Sequence, residues 1–350
     1  MHFSSLSSTA YLLISSVLTQ HANAKSCAVV DRKANVAYTG ITTSTGVETF
    51  KNIGGYFTGT VNERTAAPDG LIHASVEAGE PVIYVGMNYR LNIFGFAASE
   101  ALRPNKSLNN IEAFGGDKDR VTIFGQSSGG LSVGMQILAY GGSKPVPFQS
   151  AVMESTALEP TMASNLSFNS TAGVVALAGC NTTDDQSQAA IDCLRSLSMD
   201  TLLNLAVDQQ VVSYSNNDGD IYLPTVDQDF LPLKASETPR TRQICQSACD
   251  SWLDRRRCHP LCMDYHSNRE HTKDFLSIIY KELKEPTFDQ LLDLYPIGEF
   301  QANVTANLSA EFYRTAQIFR DIIITCPSFL FTQAMAKKYN TTNPPTYSTP

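Results

Sequence analysis

One short stretch of the chain has the residue types and spacing of a catalytic serine. Residues 125–129 read Gly-Gln-Ser-Ser-Gly, a G-x-S-x-G pattern in which a serine occupies a sharp turn between a strand and a helix. The turn presents the Ser127 hydroxyl for nucleophilic attack. The backbone N–H of Ser128, at the helix N-terminus, can then stabilise a developing oxyanion. Because a five-residue pattern also arises by chance, the neighbouring elements decide what it means.

The elements on either side are the ones that such a turn requires. Residues 121–124, Val-Thr-Ile-Phe, have strand character, and residues 131–140 have the composition of an apolar helix. A strand that runs into a glycine-flanked serine and then into a helix favours a nucleophile elbow over a chance match. The sequence therefore predicts Ser127 as the nucleophile of an acyl-transfer reaction.

The run from Ile111 to Gly130 closely resembles the nucleophile region of the type-B carboxylesterases, the family of cholinesterases and fungal lipases. That family's usual pattern places Phe-Gly-Gly-Asp shortly before Val-Thr-Ile-Phe-Gly-Glu-Ser-Ala-Gly-Gly, and here Gln126 and Ser128 replace the glutamate and the alanine. The resemblance implies an α/β-hydrolase fold with a central, mostly parallel sheet and helices on both faces. It also implies a carboxylic ester hydrolase that forms an acyl-Ser127 intermediate and needs no cofactor.

Further stretches resemble the same family. Gly54 and Gly55 are similar to the end of its oxyanion loop, which implies that their amides join that of Ser128 in an oxyanion hole; a plain Gly-Gly turn is the alternative. Cys180 and Cys193 resemble a family disulfide, with two buried thiols as the alternative. Residues 81–85, Pro-Val-Ile-Tyr-Val, are predicted to be a buried strand.

The chain departs from the family in three places, so that the expected fold is incomplete. A helix that normally follows position 107 is missing. Residues 242–271 change abruptly in composition and resemble translation in a shifted reading frame, where the family has an apolar strand and the loop with its catalytic acid. The sequence stops before the family's C-terminal histidine region.

No histidine matches the position of the family's catalytic base. A serine nucleophile needs a base and an acid that orients it, and in this fold they follow in the order Ser, Asp or Glu, His. One histidine precedes the nucleophile and three come too early for the base: His73, His259, His266 and His271. Three aspartates lie near the expected acid without a supporting motif: Asp250, Asp254 and Asp264. We therefore expect an ester hydrolase that is inactive as written, with a non-catalytic, cholinesterase-like binding protein as the alternative.

The atypical segment 242–271 also has the residue types of a metal site. Its zinc-like ligands are Cys245, Cys249, Cys258, His259, Cys262 and His266. Their spacing fits no standard zinc module, and a secreted chain favours disulfides. No metal is therefore predicted.

Composition and the N-terminus indicate a secreted globular protein. The chain has 350 residues, of which 43% are hydrophobic, and a net charge of −8, which argues against nucleic acid or an anionic membrane as the main partner. Residues 1–24 are predicted to be a signal peptide with an Ala-Asn-Ala cleavage site, and residues 25–350 a single domain. No other stretch is long enough to span a bilayer. The expected partner is a small-molecule or lipid ester met outside the cell.

Seven N-x-S/T sequons without proline indicate a glycosylated surface in a secreted chain. They begin at Asn105, Asn165, Asn169, Asn181, Asn303, Asn307 and Asn340.

Hydrophobic periodicity predicts the remaining elements that would position the site. Residues 35–40 and 46–50 alternate as antiparallel strands do, and residues 148–155 have the pattern of the next core strand. Helices are predicted at 191–206, 275–284, 291–296 and 312–336.

Overall fold

The computed structural model describes two compact units of the chain. The described residues are 25–31, 36–42, 48–49, 68–86, 90–102, 111–156, 165–180, 183–213, 220–233, 248–254, 267–280, 283–339 and 346–349. The first unit takes the described residues up to position 86 together with residues 111–116, and the second unit takes the others. The predicted signal peptide lies outside the described residues.

The first unit contains a three-stranded antiparallel sheet in the order β1-β2-β3. Its elements are β1 (Lys25–Asp31), β2 (Val36–Thr42), β3 (Glu48–Thr49), the helix α1 (Asp69–Glu77) and a 3-10 turn at Ile111–Phe114. The antiparallel strands predicted within residues 35–50 are confirmed, since β2 and β3 pair between Ile41 and Thr49.

Residues 81–86 belong to no sheet, so the predicted buried strand at 81–85 is wrong. The apolar side chains of this run are exposed: Val82, Ile83, Tyr84 and Val85. An apolar run is buried only where neighbouring strands hydrogen-bond it and side chains cover it. None of the described strands pairs with this segment, and local composition alone could not reveal that.

The second unit is built on a four-stranded parallel sheet in the order β4-β5-β6-β7. Its strands are β4 (Thr122–Gln126), β5 (Ser150–Glu154), β6 (Ala248–Asp254) and β7 (Thr346–Thr349). The strands predicted at 121–124 and 148–155 are confirmed. The parallel sheet with helices packed on it is the α/β-hydrolase arrangement expected from the sequence.

The atypical segment 242–271 contains a strand of the sheet, β6, where the sequence analysis expected the family's strand to be lost. The segment lacks the family's apolar strand pattern, yet Ala248–Asp254 pairs in parallel with β5, with Ser150 opposite Ala248. Parallel pairing uses the backbone N–H and C=O groups, which every non-proline residue carries. A segment without an apolar strand pattern can therefore still form a strand of the sheet.

Helix α3 (Ser128–Leu138) covers one face of the sheet beside β4 and β5. Its side chains join those of the strands in a cluster that we call the elbow core: Leu131, Val133, Met135, Ile137, Leu138, Phe148, Ala151, Met153, Leu223, Leu231, Phe331 and Met335. The opposite face of β4 carries Phe124, whose side chain is 59% exposed.

Three further helices surround a second cluster, which we call the disulfide core. The helices are α4 (Leu166–Leu177), α5 (Gln188–Ser196) and α6 (Met199–Val212), and the short α2 (Ile93–Phe96) packs with them. The core residues are Ile93, Val174, Val175, Cys180, Ala190, Leu194, Ala206, Ile221 and Tyr222. The single helix predicted at 191–206 is two helices, because the Ser198 hydroxyl accepts the N–H of Thr201 and begins α6 anew.

The C-terminal helices form a third cluster, the C-terminal core. They are α7 (Arg269–Ile279), α8 (Glu285–Leu294), α9 (Ala310–Arg320), a π turn (Asp321–Thr325) and α10 (Cys326–Tyr339). The core residues are Phe275, Leu276, Phe288, Leu292, Leu308, Phe312, Ala316, Ile318, Phe319, Ile323 and Ile324. The predicted helices are confirmed in type, except that a π turn interrupts the last one. No described helix is both long enough and apolar enough to cross a membrane.

Candidate active site

Ser127 occupies a strained backbone conformation at the junction of β4 and α3. Its φ is 56° and its ψ is −118°, and it forms the N-cap of α3. Left-handed φ values cost a non-glycine residue of order 1–3 kcal/mol and persist only where the surrounding structure enforces them. The serine is exposed, and its hydroxyl makes no hydrogen bond to any described residue. The geometry therefore presents the Ser127 side chain to solvent at the carboxyl end of β4.

Two glycines make this turn possible. A Cβ on Gly125 would lie 2.2 Å from the carbonyl oxygen of Gly129, because the first turn of α3 crosses directly over the end of β4. A Cβ on Gly130 would lie 2.9 Å from the carbonyl oxygen of Glu154. By contrast, Gly129 has open space where a Cβ would stand. Close backbone approach thus requires Gly125 of the pattern and Gly130, which directly follows the pattern.

The end of β5 supports the elbow from the neighbouring strand. The carbonyl oxygen of Glu154 accepts the backbone N–H of Ser127 at 2.9 Å. Thr156, which is 2% exposed, places its hydroxyl 3.0 Å from the position a Cβ would take on Gly130. The sequence did not predict either residue. Any residue type can accept a hydrogen bond through its main-chain carbonyl, as Glu154 does, and the recognised motif ends before β5.

The structure describes one of the three residues predicted for the oxyanion hole. Ser128 is the first residue of α3 and is exposed, so its N–H lies at the positive end of the helix dipole. Gly54 and Gly55 lie outside the described residues. Their contribution to an oxyanion hole stays a prediction.

No described histidine hydrogen-bonds the nucleophile. His73 lies on α1 in the first unit. His271 lies on α7, where its Nδ1 is 3.3 Å from both the backbone nitrogen and the hydroxyl of Ser267. His259 and His266 lie outside the described residues.

The aspartates and metal-like ligands of the atypical segment are only partly described. Asp250, Asp254 and Cys249 lie on β6, of which the structure describes the main chain, and Asp264 lies outside the described residues. Five of the six zinc-like residues also lie outside the described residues: Cys245, Cys258, His259, Cys262 and His266. Within the described residues, no three His, Cys, Asp or Glu side chains group as metal ligands.

Cys180 and Cys193 form a disulfide with a Cα–Cα distance of 6.0 Å. The bond links the residues after α4 to α5 and lies in the disulfide core. Four of the seven sequon asparagines are described, and all are exposed: Asn165, Asn169, Asn303 and Asn307. The other three lie outside the described residues: Asn105, Asn181 and Asn340.

The clearest electrostatic perturbations lie at the π turn. Asp321 accepts hydrogen bonds from the Tyr295 hydroxyl at 3.1 Å and from Gln317 Nε2 at 2.7 Å, and it pairs with Arg320 at 3.0 Å. Burial, and secondarily the Asp321 carboxylate, raise the pKa of the nearby Cys326 thiol. The same two causes raise the pKa of Tyr295. Asp321 thus joins Tyr295, Gln317 and Arg320 in one network, and the raised pKa of Cys326 favours the protonated thiol near neutral pH.

Comparison with known proteins matches the chain to the carboxylesterase family. A profile of the carboxylesterase family matches residues 53–349. A secreted lipase of Arthroderma benhamiae is 42% identical over 79% of this chain and 52% of its own length. Lipase 1 of Geotrichum candidum is 29% identical over 74% of this chain and 51% of its own. An inactive carboxylesterase-like protein of Byssochlamys spectabilis is 29% identical over 83% of this chain and 54% of its own.

A comparison with solved structures agrees with the fold expected from the family. The crystal structure of Aspergillus niger EstA superposes with a TM-score of 0.61 at 21% identity, covering 77% of this chain and 53% of EstA. The chain thus spans about half the length of the curated relatives it matches. Because the family profile covers most of the chain, and the elbow and parallel sheet are those of an α/β-hydrolase, the chain belongs to the carboxylesterase family.

Proposed function

We propose that the chain is a secreted carboxylic ester hydrolase that forms an acyl intermediate on Ser127. One observation carries the proposal, namely the strained φ and ψ of Ser127 at a strand-to-helix turn. Such strain is kept where the structure over-determines it for a purpose, and a protein that only binds a ligand has no use for an exposed, strained serine.

The proposed reaction proceeds in two halves. The Ser127 oxygen attacks the ester carbonyl carbon while a base takes the serine proton, and the carbonyl oxygen becomes an oxyanion. The N–H of Ser128, joined by those of Gly54 and Gly55, stabilises that charge. The C–O bond to the alcohol then breaks, the alcohol leaves with the proton, and water releases the acid from the acyl-serine by the same route.

The base and the acid that orients it are unassigned on this chain. A serine without a base to take its proton loses most of its reactivity, and removal of one triad member costs several orders of magnitude in turnover. We therefore propose that residues 25–350, as a single α/β-hydrolase domain, hydrolyse esters at a negligible rate, several orders of magnitude below that of a complete triad. The names of the relatives, which are lipases and carboxylesterases, support small-molecule and lipid esters as the substrate class.

Covalent labelling tests the assignment of the nucleophile. A fluorophosphonate should label the chain at Ser127, slowly because no base is assigned to activate this serine, and Ser127→Ala should abolish the labelling. Ser132→Ala is the matched control, because Ser132 is an exposed serine one turn along α3. Labelling that survives Ser127→Ala would remove the elbow from the mechanism.

The alternative function is a non-catalytic, cholinesterase-like binding protein. The similarity to a relative that is itself named inactive favours this candidate. A chain that folds cooperatively yet takes up no fluorophosphonate at any serine would establish it over the hydrolase.

Secretion and glycosylation belong to the same proposal. The apolar leader at 1–24, the disulfide and the exposed sequon asparagines support passage through an oxidising secretory compartment. Two relatives are named as secreted proteins. Expression with the leader in a eukaryotic host should yield extracellular protein that an endoglycosidase shifts to lower mass.

A further inference from the structure

Glu154 is an acidic residue whose main chain contacts the proposed nucleophile. Its carbonyl oxygen accepts the backbone N–H of Ser127 at 2.9 Å. In the parallel pairing of β4 with β5, its Cα lies opposite that of Gln126, the residue directly before Ser127. Neighbouring strands lie about 4.8 Å apart. The strand ladder and the bond to the elbow therefore fix the main chain of Glu154 beside Ser127.

The side chain of Glu154 lies on the face of the sheet opposite α3. Ala151 and Met153 belong to the elbow core beneath α3, and side chains alternate between the two faces along a strand. Glu154 therefore shares its face with Gln126, its partner in register, and with Phe124. Phe124 and Gln126 are exposed and Glu154 is half-buried, so this face is open to solvent at its carboxyl end.

Ser127 lies one residue beyond Gln126, where the chain leaves the strand. The first turn of α3 crosses over Gly125 and covers one face of β4 there. The Ser127 side chain is nevertheless exposed, so it does not lie beneath α3. A glutamate side chain is long enough to span one strand spacing. We therefore expect at most one water between the Glu154 carboxylate and the Ser127 hydroxyl, which is the geometric requirement for a general base.

The elements packed around Glu154 restrict the choice of base. Strands β4, β5 and β6 and helix α3 carry no lysine, arginine or histidine. In register, β6 places Trp252 opposite Glu154. The titratable residues of β6 are Cys249, Asp250 and Asp254. Glu154 is thus the carboxylate on the strand that directly neighbours the nucleophile.

We propose that the Glu154 carboxylate is the base for Ser127. It takes the hydroxyl proton as the Ser127 oxygen bonds to the ester carbonyl carbon. It returns that proton to the alcohol oxygen as the C–O bond to the alcohol breaks. This inference rests on the proposed function, to which it assigns a base. Because a carboxylate is ordinarily a weaker base than an imidazole, slow turnover remains the expectation.

A thiol in place of the serine tests the proximity without any ester chemistry. In Ser127→Cys, a carboxylate at position 154 repels the thiolate. Adding Glu154→Gln should therefore move the pH profile of iodoacetamide alkylation at position 127 to lower pH by about half a unit or more. Glutamine keeps the shape of the side chain and the main-chain bond. Asp119→Asn is the matched control, because it removes an exposed carboxylate before the other end of β4, and the profile should stay in place.

The rate of fluorophosphonate labelling at Ser127 tests the role as a base. Glu154→Gln should slow labelling at pH 7 at least tenfold, since a positioned base contributes about 10²–10⁴-fold, and Asp119→Asn should label as the parent does. In the parent, the rate should rise across the pH range in which carboxyl groups titrate, and Glu154→Gln should lose that rise. Gln126→Glu/Glu154→Gln moves the carboxylate to the register partner on β4 and should restore part of the rate.

Three results would overturn the inference. They are an alkylation profile at position 127 that Glu154→Gln leaves unmoved, a labelling rate that Glu154→Gln leaves unchanged, and a labelling midpoint in the range of histidine. A purely structural role would lower stability, which urea unfolding of each variant measures, without moving either pH profile.

The two tests also separate this inference from the proposed function. Labelling of Ser127 that does not depend on Glu154 would reject the base and keep the hydrolase. A shifted alkylation profile in a chain whose Ser127 takes up no fluorophosphonate would place the carboxylate beside position 127 but reject the hydrolase, and with it the base.

Discussion

The backbone N–H of Ser127 donates a hydrogen bond to the carbonyl oxygen of Glu154 across 2.9 Å. This bond ties the strained turn at the end of β4 to the last residue of β5, which pairs in register with Gln126. The position of Ser127, the proposed nucleophile, therefore depends on the parallel pairing of two strands as well as on the elbow pattern.

Gly125 and Gly129 flank the nucleophile but should respond oppositely to alanine. Gly125→Ala should lower the free energy of unfolding by about 3 kcal/mol or more, because the new Cβ would meet backbone atoms of Gly129 at 2.2 and 2.3 Å. Gly129→Ala should be neutral or stabilising by up to about 1 kcal/mol, since its Cβ meets nothing within 4 Å and alanine favours a helix. Urea unfolding measures both. Equal losses for the two variants would contradict the close crossing of α3 over β4.

The disulfide should stabilise the α4–α5 region. The two cysteines are 13 residues apart, and closing a loop of this size contributes about 3 kcal/mol. Cys180→Ser/Cys193→Ser should lose about that much in urea unfolding. Cys326→Ser is the control, because Cys326 is not in a disulfide, and it should change the unfolding free energy little. Peptide mapping that finds both Cys180 and Cys193 as free thiols would reject the pairing.

A buried ion pair on α9 should matter more than an exposed one on α5. The Arg314 guanidinium donates to both oxygens of Glu311, at 2.8 and 2.7 Å, and both side chains are under 10% exposed. Glu311→Gln would leave a buried, unpaired guanidinium and should cost roughly 3–5 kcal/mol.

The matched control for this prediction is Asp192→Asn, which removes the carboxylate of the exposed pair with Arg195 at 3.5 Å. It should cost less than about 1 kcal/mol, because water and salt screen exposed charges. Comparable losses for Glu311→Gln and Asp192→Asn would mean that the α9 pair is not buried in solution.

The reactivity of Cys326 should rise when Asp321 is neutralised. Burial and the Asp321 carboxylate raise the pKa of this thiol above its usual value, so that little thiolate is present near neutral pH. Asp321→Asn removes the repulsion of the thiolate and leaves the Arg320 cation nearby. The pH profile of Cys326 alkylation by iodoacetamide, read by mass spectrometry, should therefore shift to lower pH.

The control for the Cys326 prediction is Asp289→Asn, which neutralises an exposed carboxylate on α8 that pairs with Arg269. Its alkylation profile should match that of the parent. A profile in Asp321→Asn that stays where it was would mean that burial alone sets the thiol's pKa.

Local chemistry explains why the elbow could be predicted and why the strand predicted at 81–85 is wrong. The turn at Ser127 demands small residues at fixed positions, so its sequence carries the constraint directly. Whether Val82 and Ile83 are buried depends on which strands pair with them, and no feature of their own sequence records that. For the same reason β6 was missed, because its pairing with β5 goes through the backbone.

The sequence itself contains a signal that the helix predicted at 191–206 divides into α5 and α6. Ser198 is followed by Asp200 and Thr201, which is the composition of a helix start, and the Ser198 hydroxyl does cap α6. The helix start at Ser198 was not predicted, because the apolar periodicity continues across residues 191–206. The role of Glu154 in holding Ser127 had no such signal, since any residue can offer a main-chain carbonyl.

The π turn fixes the rotation of α10 relative to α9, and these two consecutive helices pack into different cores. Before it, α9 directs Phe312 and Phe319 into the C-terminal core, and after it, α10 directs Phe331 and Met335 into the elbow core. The i to i+5 bonding of a π turn accommodates one extra residue, which rotates everything downstream by about 100°. Deleting a single residue within Asp321–Thr325 would therefore disturb the packing beneath Ser127 from a distance, by turning Phe331 and Met335 away from the elbow core.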